Sequence, residues 1–283
     1  FYSNTNQVYE GPEDVHGTHA AGTIAASKDN GGIVGIADNN YVKIKPVKAL
    51  GGEEGKGSPD NVIAAIKYAE ANGAQICNLS FGSQNCTEEF KAAIRDSGML
   101  FIVAAGNGDD NAIGYNIDAS PIYPASLPFD NVITVANLMF DGKLDESSNF
   151  GAGSVDIAAP GTFILGITPD NGYAFMSGTS MAAPQITGMA ALVAQYIREN
   201  DLTEQTGLTA RQLAQSLLMS TAEPMVEDYG KDGDGYYPVL RQGAGLANVA
   251  NAVTSGTYIL MDEGANTGAA DGKVKVELGD DPA

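Results

Sequence analysis

Apolar runs with the length of buried strands alternate along this chain with segments whose apolar residues recur at helical spacing. The run Leu100–Ala105 is almost wholly apolar, as expected of a strand that helices cover on both faces of a parallel sheet. Repeated strand–helix–strand units predict a three-layer α/β fold with a mostly parallel central sheet and helices on both faces. The predicted strands are Val42–Leu50, Gln75–Phe81, Leu100–Ala105 and Asn131–Ala136, and the predicted helices are Asn61–Ala71, Thr87–Arg95 and Met181–Tyr196.

The charge balance argues against one class of partner. The chain has 15 Lys and Arg residues against 35 Asp and Glu residues, which gives a formal net charge of −20. Because nucleic-acid binding depends on cationic surface that displaces counterions, no nucleic-acid partner is expected. No apolar run approaches the ~20 residues that a membrane-spanning helix needs, so no membrane span is expected either.

The chain has two cysteines, which cannot form a disulfide framework. Cys77 lies in a strand-like run and is interpreted as a small buried apolar residue. A bridge between Cys77 and Cys86 stays open as the alternative.

Three short segments carry the residues of a nucleophilic site: 15–23 (VHGTHAAGT), 103–108 (VAAGNG) and 177–184 (SGTSMAAP). Ser180 stands where a Gly-Thr-Ser turn enters a predicted buried helix. Its hydroxyl would lie beside free N–H groups that stabilise developing negative charge. Pro184 is expected in the first turn of that helix, where its missing N–H costs nothing. Serine is also a common N-cap, so this segment alone leaves a purely structural role open.

A serine hydroxyl becomes a good nucleophile near neutral pH only when a positioned base removes its proton. The chain has two histidines, so that base is His16 or His19. Asn107 follows a buried strand within a Gly-Asn-Gly turn, which predicts its amide at the carboxyl edge of the sheet, where ligands gather in open α/β folds. A side-chain amide at that edge can stabilise a tetrahedral oxyanion.

In their order and spacing, the three segments resemble the His, Asn and Ser signatures of the subtilases, the subtilisin-like serine proteases, over residues 15–253. The resemblance implies a subtilisin-like fold and a secreted or surface-associated, extracellular endopeptidase that cleaves polypeptide substrates through an acyl-enzyme. It implies that His16 is the general base and Ser180 the nucleophile. Asn107 and the Ser180 backbone N–H would be the oxyanion donors, and His19 would be a packed structural residue.

The resemblance also implies where an extended substrate binds. Two segments match the family's edge segments, whose backbone pairs with the substrate as an added strand. A third segment matches the family's residues that form one wall of the main specificity pocket. Because its residues are small, an open slot for an apolar side chain of the substrate is predicted there. The edge residues are Ser80, Phe81 and Gly82 with Gly55, Lys56 and Gly57, and the pocket wall is Ala104, Ala105 and Gly106.

Residues 27–33 (SKDNGGI) resemble the calcium loop that follows the family's His helix. Calcium takes several oxygen ligands, commonly carboxylates and backbone carbonyls. The expected Ca²⁺ ligands are the Asp29 side chain and the carbonyls of Ser27, Gly31 and Ile33, and the alternative is an ordinary polar turn. Residues 228–234 only superficially resemble a calcium hairpin and are interpreted as a solvated loop.

One expected residue is missing from the pattern. The family places its third catalytic residue in an Asp-Ser/Thr-Gly turn upstream of the His motif, and residues 1–14 contain no such turn. Asp14 is too close to His16 along the backbone to orient it, and Asp96 belongs to a turn at the opposite edge of the sheet. Loss of this Asp costs about 10⁴-fold in rate. An N-terminal fragment that carries it is therefore expected as a partner, either as a non-covalently bound chain or as sequence upstream of Phe1.

Composition changes after about residue 253. We expect a catalytic domain over 1–253, without its Asp-bearing segment, and an acidic linker over 254–283 in which the alternating Lys273–Leu278 begins a following β domain. Residues 217–222 and 241–245 resemble the closing segment of the cell-envelope proteinase branch, although 107–180 leaves no room for the domain often inserted there. The alternative to an enzyme is an inactive pseudoprotease that serves as a binding or scaffold module.

Overall fold

The computed structural model of the chain describes residues 1–11, 14–52, 55–225 and 236–258, and eight helices and six strands lie within these ranges. The strands are β1 (Ile76–Leu79), β2 (Leu100–Ala104), β3 (Val132–Leu138), β4 (Ile157–Pro160), β5 (Ile164–Ile167) and β6 (Tyr173–Met176). The helices are α1 (Val15–Ala25), α2 (Pro59–Ala71), α3 (Glu88–Arg95), α4 (Thr179–Glu199), α5 (Leu202–Thr206), α6 (Ala210–Ser220), α7 (Val239–Gln242) and α8 (Val249–Thr254).

The first four strands form one parallel sheet in the order β1-β2-β3-β4. All four strands therefore end at the same edge of the sheet, and the loops that follow β1 and β2 leave that edge side by side. The remaining pair, β5 and β6, is an antiparallel hairpin that leads into α4. The predicted parallel α/β sheet is confirmed.

Strand β2 shows why the sheet has helices on both faces. Phe101 and Val103 belong to a core cluster that includes side chains of α2 and α3. Leu100 and Ile102 belong to a second cluster with α4, α6 and α8. Since successive strand residues point to opposite faces, an uninterrupted apolar run is what a strand between two helical layers requires.

Two helix starts follow from capping side chains. Ser58 accepts a hydrogen bond from the backbone N–H of Asn61 at 3.2 Å and begins α2, with Pro59 in the first turn. Thr87 accepts one from Phe90 at 3.2 Å and begins α3, as the sequence predicts. Each cap satisfies an N–H that has no partner inside its helix.

The predicted strand Val42–Leu50 is wrong. It pairs with no described strand, and Lys43–Pro46 are exposed, although Val47, Ala49 and Leu50 contact the core cluster on the α2 side of the sheet. A strand forms only where a second backbone pairs with it, and the composition of a segment does not show whether that neighbour is present.

Several other predictions concern single residues or the end of the chain. Cys77 and Cys86 are free thiols, and burial raises the pKa of Cys77 to about 12, which suits an inert packed residue. None of the helices in the described ranges has the length and apolarity needed to cross a bilayer. The predicted loop 228–234 and the predicted strand Lys273–Leu278 lie outside the described residues, and the domain boundary at 253 stays a prediction.

Candidate active site

The long buried helix α4 presents Ser180 at its beginning. The helix begins at Thr179, and Gly178 before it has φ 138°, a conformation that residues with a side chain rarely adopt. A Cβ on Gly178 would also lie 3.0 Å from the Asn107 side chain. Ser180 is thus the second helical residue, and its backbone N–H makes no hydrogen bond to a described residue. It is one of the free donors at the positive end of the helix.

Pro184 does not lie in the first turn, contrary to the prediction, because α4 begins at Thr179 and Pro184 is its sixth residue. Proline has no N–H, so the carbonyl of Ser180, four residues earlier, receives no helical hydrogen bond. The hydroxyl of Ser80 donates to that carbonyl instead, at 3.0 Å. In return, the Ser180 hydroxyl donates to the Ser80 carbonyl at 3.2 Å. The two serines are therefore joined by a reciprocal pair of hydrogen bonds.

Ser80 is itself held in place by side chains of the sheet and of α4. The amide nitrogen of Asn78, in β1, donates to the Ser80 hydroxyl at 2.9 Å. The hydroxyl of Thr187, two turns along α4, donates to the Asn78 carbonyl oxygen at 2.9 Å. This chain of bonds fixes the end of β1 against the helix that carries Ser180.

Asn107 lies beside the start of α4, and its amide nitrogen makes no hydrogen bond to a described residue. Its Oδ1 accepts from the Thr179 backbone N–H and from the Thr179 hydroxyl, each at 2.8 Å. A backbone N–H can only donate, so the bonded atom has to be oxygen, and Nδ2 is the end left for a ligand. The Thr179 hydroxyl also accepts from the Gly106 N–H at 3.1 Å. Ser180 N–H and Asn107 Nδ2 are thus two uncommitted donors in adjacent positions.

His16 lies at the same end of the molecule as Ser180. Helix α1 packs against α4, and near the end of α1 the Ile24 carbonyl lies 3.4 Å from the Cβ position of Gly188, the tenth residue of α4. Earlier in α1, the His19 ring lies 3.0 Å from the Ile164 carbonyl, and Ile164 pairs with Met176 just before α4. Together these two contacts place the beginning of α1, which holds His16, toward the beginning of α4, which holds Ser180.

The imidazole of His16 makes no hydrogen bond within the described residues, and the Ser180 hydroxyl donates to Ser80 rather than to it. Burial, and then the neighbouring His19, hold the pKa of His16 below its ordinary value. Asp14 does not serve as its carboxylate partner. That side chain accepts from Lys48 at 2.7 Å and from the Glu10 backbone N–H at 2.6 Å.

His19 has the structural role that the resemblance implies. It is fully buried, and its ring packs directly beneath Gly166 in β5, where a Cβ would collide with it. Asp96 is likewise remote from the site, since it pairs with Arg95 at the turn before β2, at the amino edge of the sheet. Of the two histidines, only His16 lies where a base for Ser180 is needed.

The two predicted edge segments have different surroundings. Ser80, Phe81 and Gly82 directly follow β1, and the next residue, Ser83, pairs with Tyr123. In the second edge segment the backbone N–H and carbonyl of Lys56 are both bonded to Gly51. Lys56 therefore closes a hairpin, and the backbone groups of Gly57 and Gly82 make no hydrogen bond to described residues.

The predicted pocket wall is fixed by a residue that the sequence does not single out. Ala104 and Ala105 are buried at the end of β2, and Asn149 donates to the Ala105 carbonyl at 3.0 Å. A Cβ on Gly106 would lie 2.5 Å from the same Asn149 amide, so only glycine fits there. The sequence analysis assigned no role to Asn149 or Thr179. Only Thr179 could have been found from the sequence, because it directly precedes Ser180 in the serine motif.

The predicted calcium loop is exposed. Asp29 has φ 59° and its carboxylate makes no hydrogen bond to a described residue, while Asn30 accepts from Gly32 at 2.8 Å. No group of three His, Cys, Asp or Glu side chains in the described ranges is arranged to hold a metal ion. The loop offers one free carboxylate and backbone carbonyls, which fit calcium by donor type.

Comparison with known proteins decides the family. The model of the subtilase family matches residues 2–250. The chain belongs to the subtilase family. This subtilase is 39% identical over 188 residues to the Major intracellular serine protease of Bacillus subtilis, which covers 65% of the chain and 56% of that protein. It is 33% identical over 244 residues to Subtilisin DY of Bacillus licheniformis, which covers 84% of the chain and 77% of the relative.

A solved structure described as the prenylagaramide maturation protease PagA superposes on this subtilase with a TM-score of 0.65 at 30% identity, and the match covers 84% of the chain and 81% of the other. The fold and family predictions are confirmed. The chain spans just over half of the Bacillus subtilis relative, and the cell-envelope branch stays a prediction.

Proposed function

We propose that this protein is a serine endopeptidase that cleaves polypeptides through an acyl-enzyme. The observation that carries the proposal is the pairing of Ser180 with two free donors, its own N–H and Asn107 Nδ2, at the N-terminus of a buried helix. Donors fixed before reaction stabilise an oxyanion without reorganisation. Membership of the subtilase family supports the same chemistry. Labelling of Ser180 by a fluorophosphonate tests it, as the Discussion describes.

The reaction assigns a step to each group. Ser180 Oγ attacks the peptide carbonyl carbon while His16 takes its proton, and the carbonyl oxygen becomes an oxyanion held by the two donors. His16 then gives that proton to the leaving amine as the C–N bond breaks. Water, deprotonated by His16, hydrolyses the ester and restores the serine. For the first step the Ser180 hydroxyl has to turn from the Ser80 carbonyl toward His16, and such bonds commonly tighten only when substrate binds.

The substrate would bind as an added strand between Gly82 and Gly57. Their backbone groups have no partner among the described residues, and each is fixed by a neighbouring bridge, Ser83 with Tyr123 and Lys56 with Gly51. Backbone pairing provides affinity that does not depend on sequence, and side-chain pockets provide selectivity.

A carboxylate from an N-terminal fragment would complete the site. His16 is without a partner among the described residues, and β1 is the outermost strand of the described sheet, with three of its four residues only partly buried. A strand added beside β1 would pair its free edge and end at the same rim as His16. The carboxylate would fix the tautomer of His16 and stabilise its protonated form during reaction.

Substitution of Asn107 by aspartate tests the Nδ2 donor separately from the Oδ1 atom that accepts hydrogen bonds from Thr179. The variant keeps the oxygen that accepts from Thr179 but replaces the amide donor, so kcat should fall by about 10²- to 10³-fold with little change in KM. Steady-state kinetics on a peptide anilide measure this. Asn111→Asp adds the same charge to the same loop and should leave kcat within about twofold. An equal loss in both variants would point to charge alone and contradict the donor role.

A structural calcium ion at residues 27–33 remains part of the proposal, with Asp29 as the carboxylate ligand. Calcium at 100-fold above its Kd would stabilise the folded state by about 2.7 kcal/mol, which corresponds to a rise in Tm of roughly 5–10 °C. Thermal unfolding in calcium and in chelator measures it. Asp29→Asn should abolish most of the shift, whereas Asp110→Asn, at another exposed loop, should retain it. The same shift in both variants would place the ion elsewhere.

An extracellular location stays a prediction, because the similar proteins include one named as intracellular. The presence of His16, Asn107 and Ser180 supports the enzyme over the pseudoprotease alternative, which the fluorophosphonate experiment tests.

A further inference from the structure

Ile122 lies between the two segments that would hold the substrate side chain. We call Ser80–Gly82 and Ala104–Gly106 the wall segments. A Cβ on Gly82 would lie 2.9 Å from Ile122 Cδ1, and a Cβ on Gly106 would lie 3.6 Å from the same atom. One methyl group therefore reaches both walls, at positions where neither wall has a side chain.

The position of Ile122 is fixed by its neighbours. The backbone N–H of Tyr123 donates to the Ser83 carbonyl at 2.7 Å, and Ser83 N–H donates to the Tyr123 carbonyl at 2.8 Å. Ile122 N–H donates to the Ser126 hydroxyl at 3.2 Å, and its partly buried side chain packs against the core cluster on the α2 side of the sheet. The hydrogen bonds fix the backbone at Ile122, and packing against the core cluster holds its side chain beside the wall segments.

We propose that Ile122 closes the specificity slot at its base, so that the protein selects peptides with a small residue, such as alanine or glycine, immediately before the cleaved bond. The proposal rests on the proposed protease function and narrows its substrate class. The slot predicted from small wall residues alone is open, but the branched side chain between the walls shortens it. A larger substrate side chain would have to displace an isoleucine anchored on both sides.

An open surface pocket of about 610 Å³ borders the segment that carries Ile122. Its lining includes Ser120 and Pro121, which directly precede Ile122, and Gln84 and Gly108, each two residues beyond the last glycine of a wall segment. Shortening of Ile122 would remove the methyl group that lies between Gly82 and Gly106, and so deepen the slot for a larger substrate side chain.

The test compares peptide anilides that differ only in alanine or phenylalanine before the scissile bond. The wild type should cleave the alanine substrate with the higher kcat/KM. Ile122→Ala should raise the phenylalanine-to-alanine ratio of kcat/KM by about 10- to 200-fold, the range for apolar pockets that gain or lose small groups. Ile113→Ala, in an exposed part of the 107–122 loop, should leave the ratio within about twofold.

A second measurement separates this inference from the protease proposal. Binding of the corresponding peptide acids, the cleavage products, to Ser180→Ala protein needs no catalysis and should show the same preference and the same change with Ile122. Equal preference for the two side chains in the wild type, or a ratio unmoved by Ile122→Ala, would overturn the inference. Loss of all hydrolysis with the binding preference intact would instead overturn the protease function.

Discussion

In the chain joined to an upstream segment that carries the catalytic carboxylate, replacement of Ser180 by alanine is expected to lower kcat by about 10⁶-fold while the folded structure is retained. The loss is this large because Ser180 forms the covalent bond, and removal of the nucleophile from subtilisin, a member of the same family, has an effect of that size. The remaining donors, Asn107 Nδ2 and the backbone N–H at residue 180, would still bind an oxyanion and leave a small residual rate. Peptide hydrolysis at high protein concentration, with Tm measured in parallel, checks this.

A fluorophosphonate probe gives the complementary result. It should label Ser180 in the wild type, located by peptide mass, and label nothing in Ser180→Ala. Ser177→Ala is the matched control, because Ser177 lies three residues earlier and its hydroxyl only accepts from the Phe163 N–H at 2.9 Å. Absence of labelling in protein that contains the upstream carboxylate would favour the pseudoprotease and end the enzymatic interpretation.

The second large effect concerns the carboxylate partner of His16. The 283-residue chain joined to the proposed Asp-bearing N-terminal segment should exceed the chain alone by about 10⁴-fold in kcat/KM. The same segment with its Asp replaced by Asn is the control and should give little of that gain. If the wild-type and Asn segments act equally, the segment supplies only structure and the carboxylate proposal fails.

The pH profile of the same proteins gives a second readout. His16 has to be neutral to act as a base, so kcat/KM rises with pH through its pKa in the free enzyme. In the chain alone, burial and His19 lower that pKa, which places the acidic limb below the pH expected of an ordinary histidine. A carboxylate stabilises the charged imidazole and raises the pKa, so the limb should move to higher pH when the Asp segment is present.

The sequence predicts the sheet well because its strands are buried. Leu100–Ala105 needs apolar residues at every position to fill two helical layers, and that requirement is visible locally. Val42–Leu50 instead alternates apolar residues with lysines and contains Pro46, and whether such a segment forms a strand depends on a neighbouring backbone elsewhere. The local sequence pattern therefore shows whether a segment can be buried between two layers, but it does not show whether another backbone is present to pair with it.

The residues of the candidate site likewise fall into those that sequence motifs identify and those whose positions depend on the fold. Ser180, Asn107 and His16 stand in motifs whose chemistry is readable, and the structure brings the first two together and places the third at the same end. Pro184 was misplaced because the start of α4 depends on Gly178 and Thr179 rather than on apolar spacing. Ile122 gave no signal at all, since its position between two glycines arises from the pairing of Ser83 with Tyr123.

Ser80 belongs both to the predicted substrate edge and to the hydrogen-bonded pair with Ser180. Pro184 explains that pairing, because it leaves the Ser180 carbonyl to be satisfied from outside the helix. The proline in α4 therefore ties the nucleophile to the strand end where the substrate is expected to pair, so the two cannot be repositioned independently without loss of these hydrogen bonds.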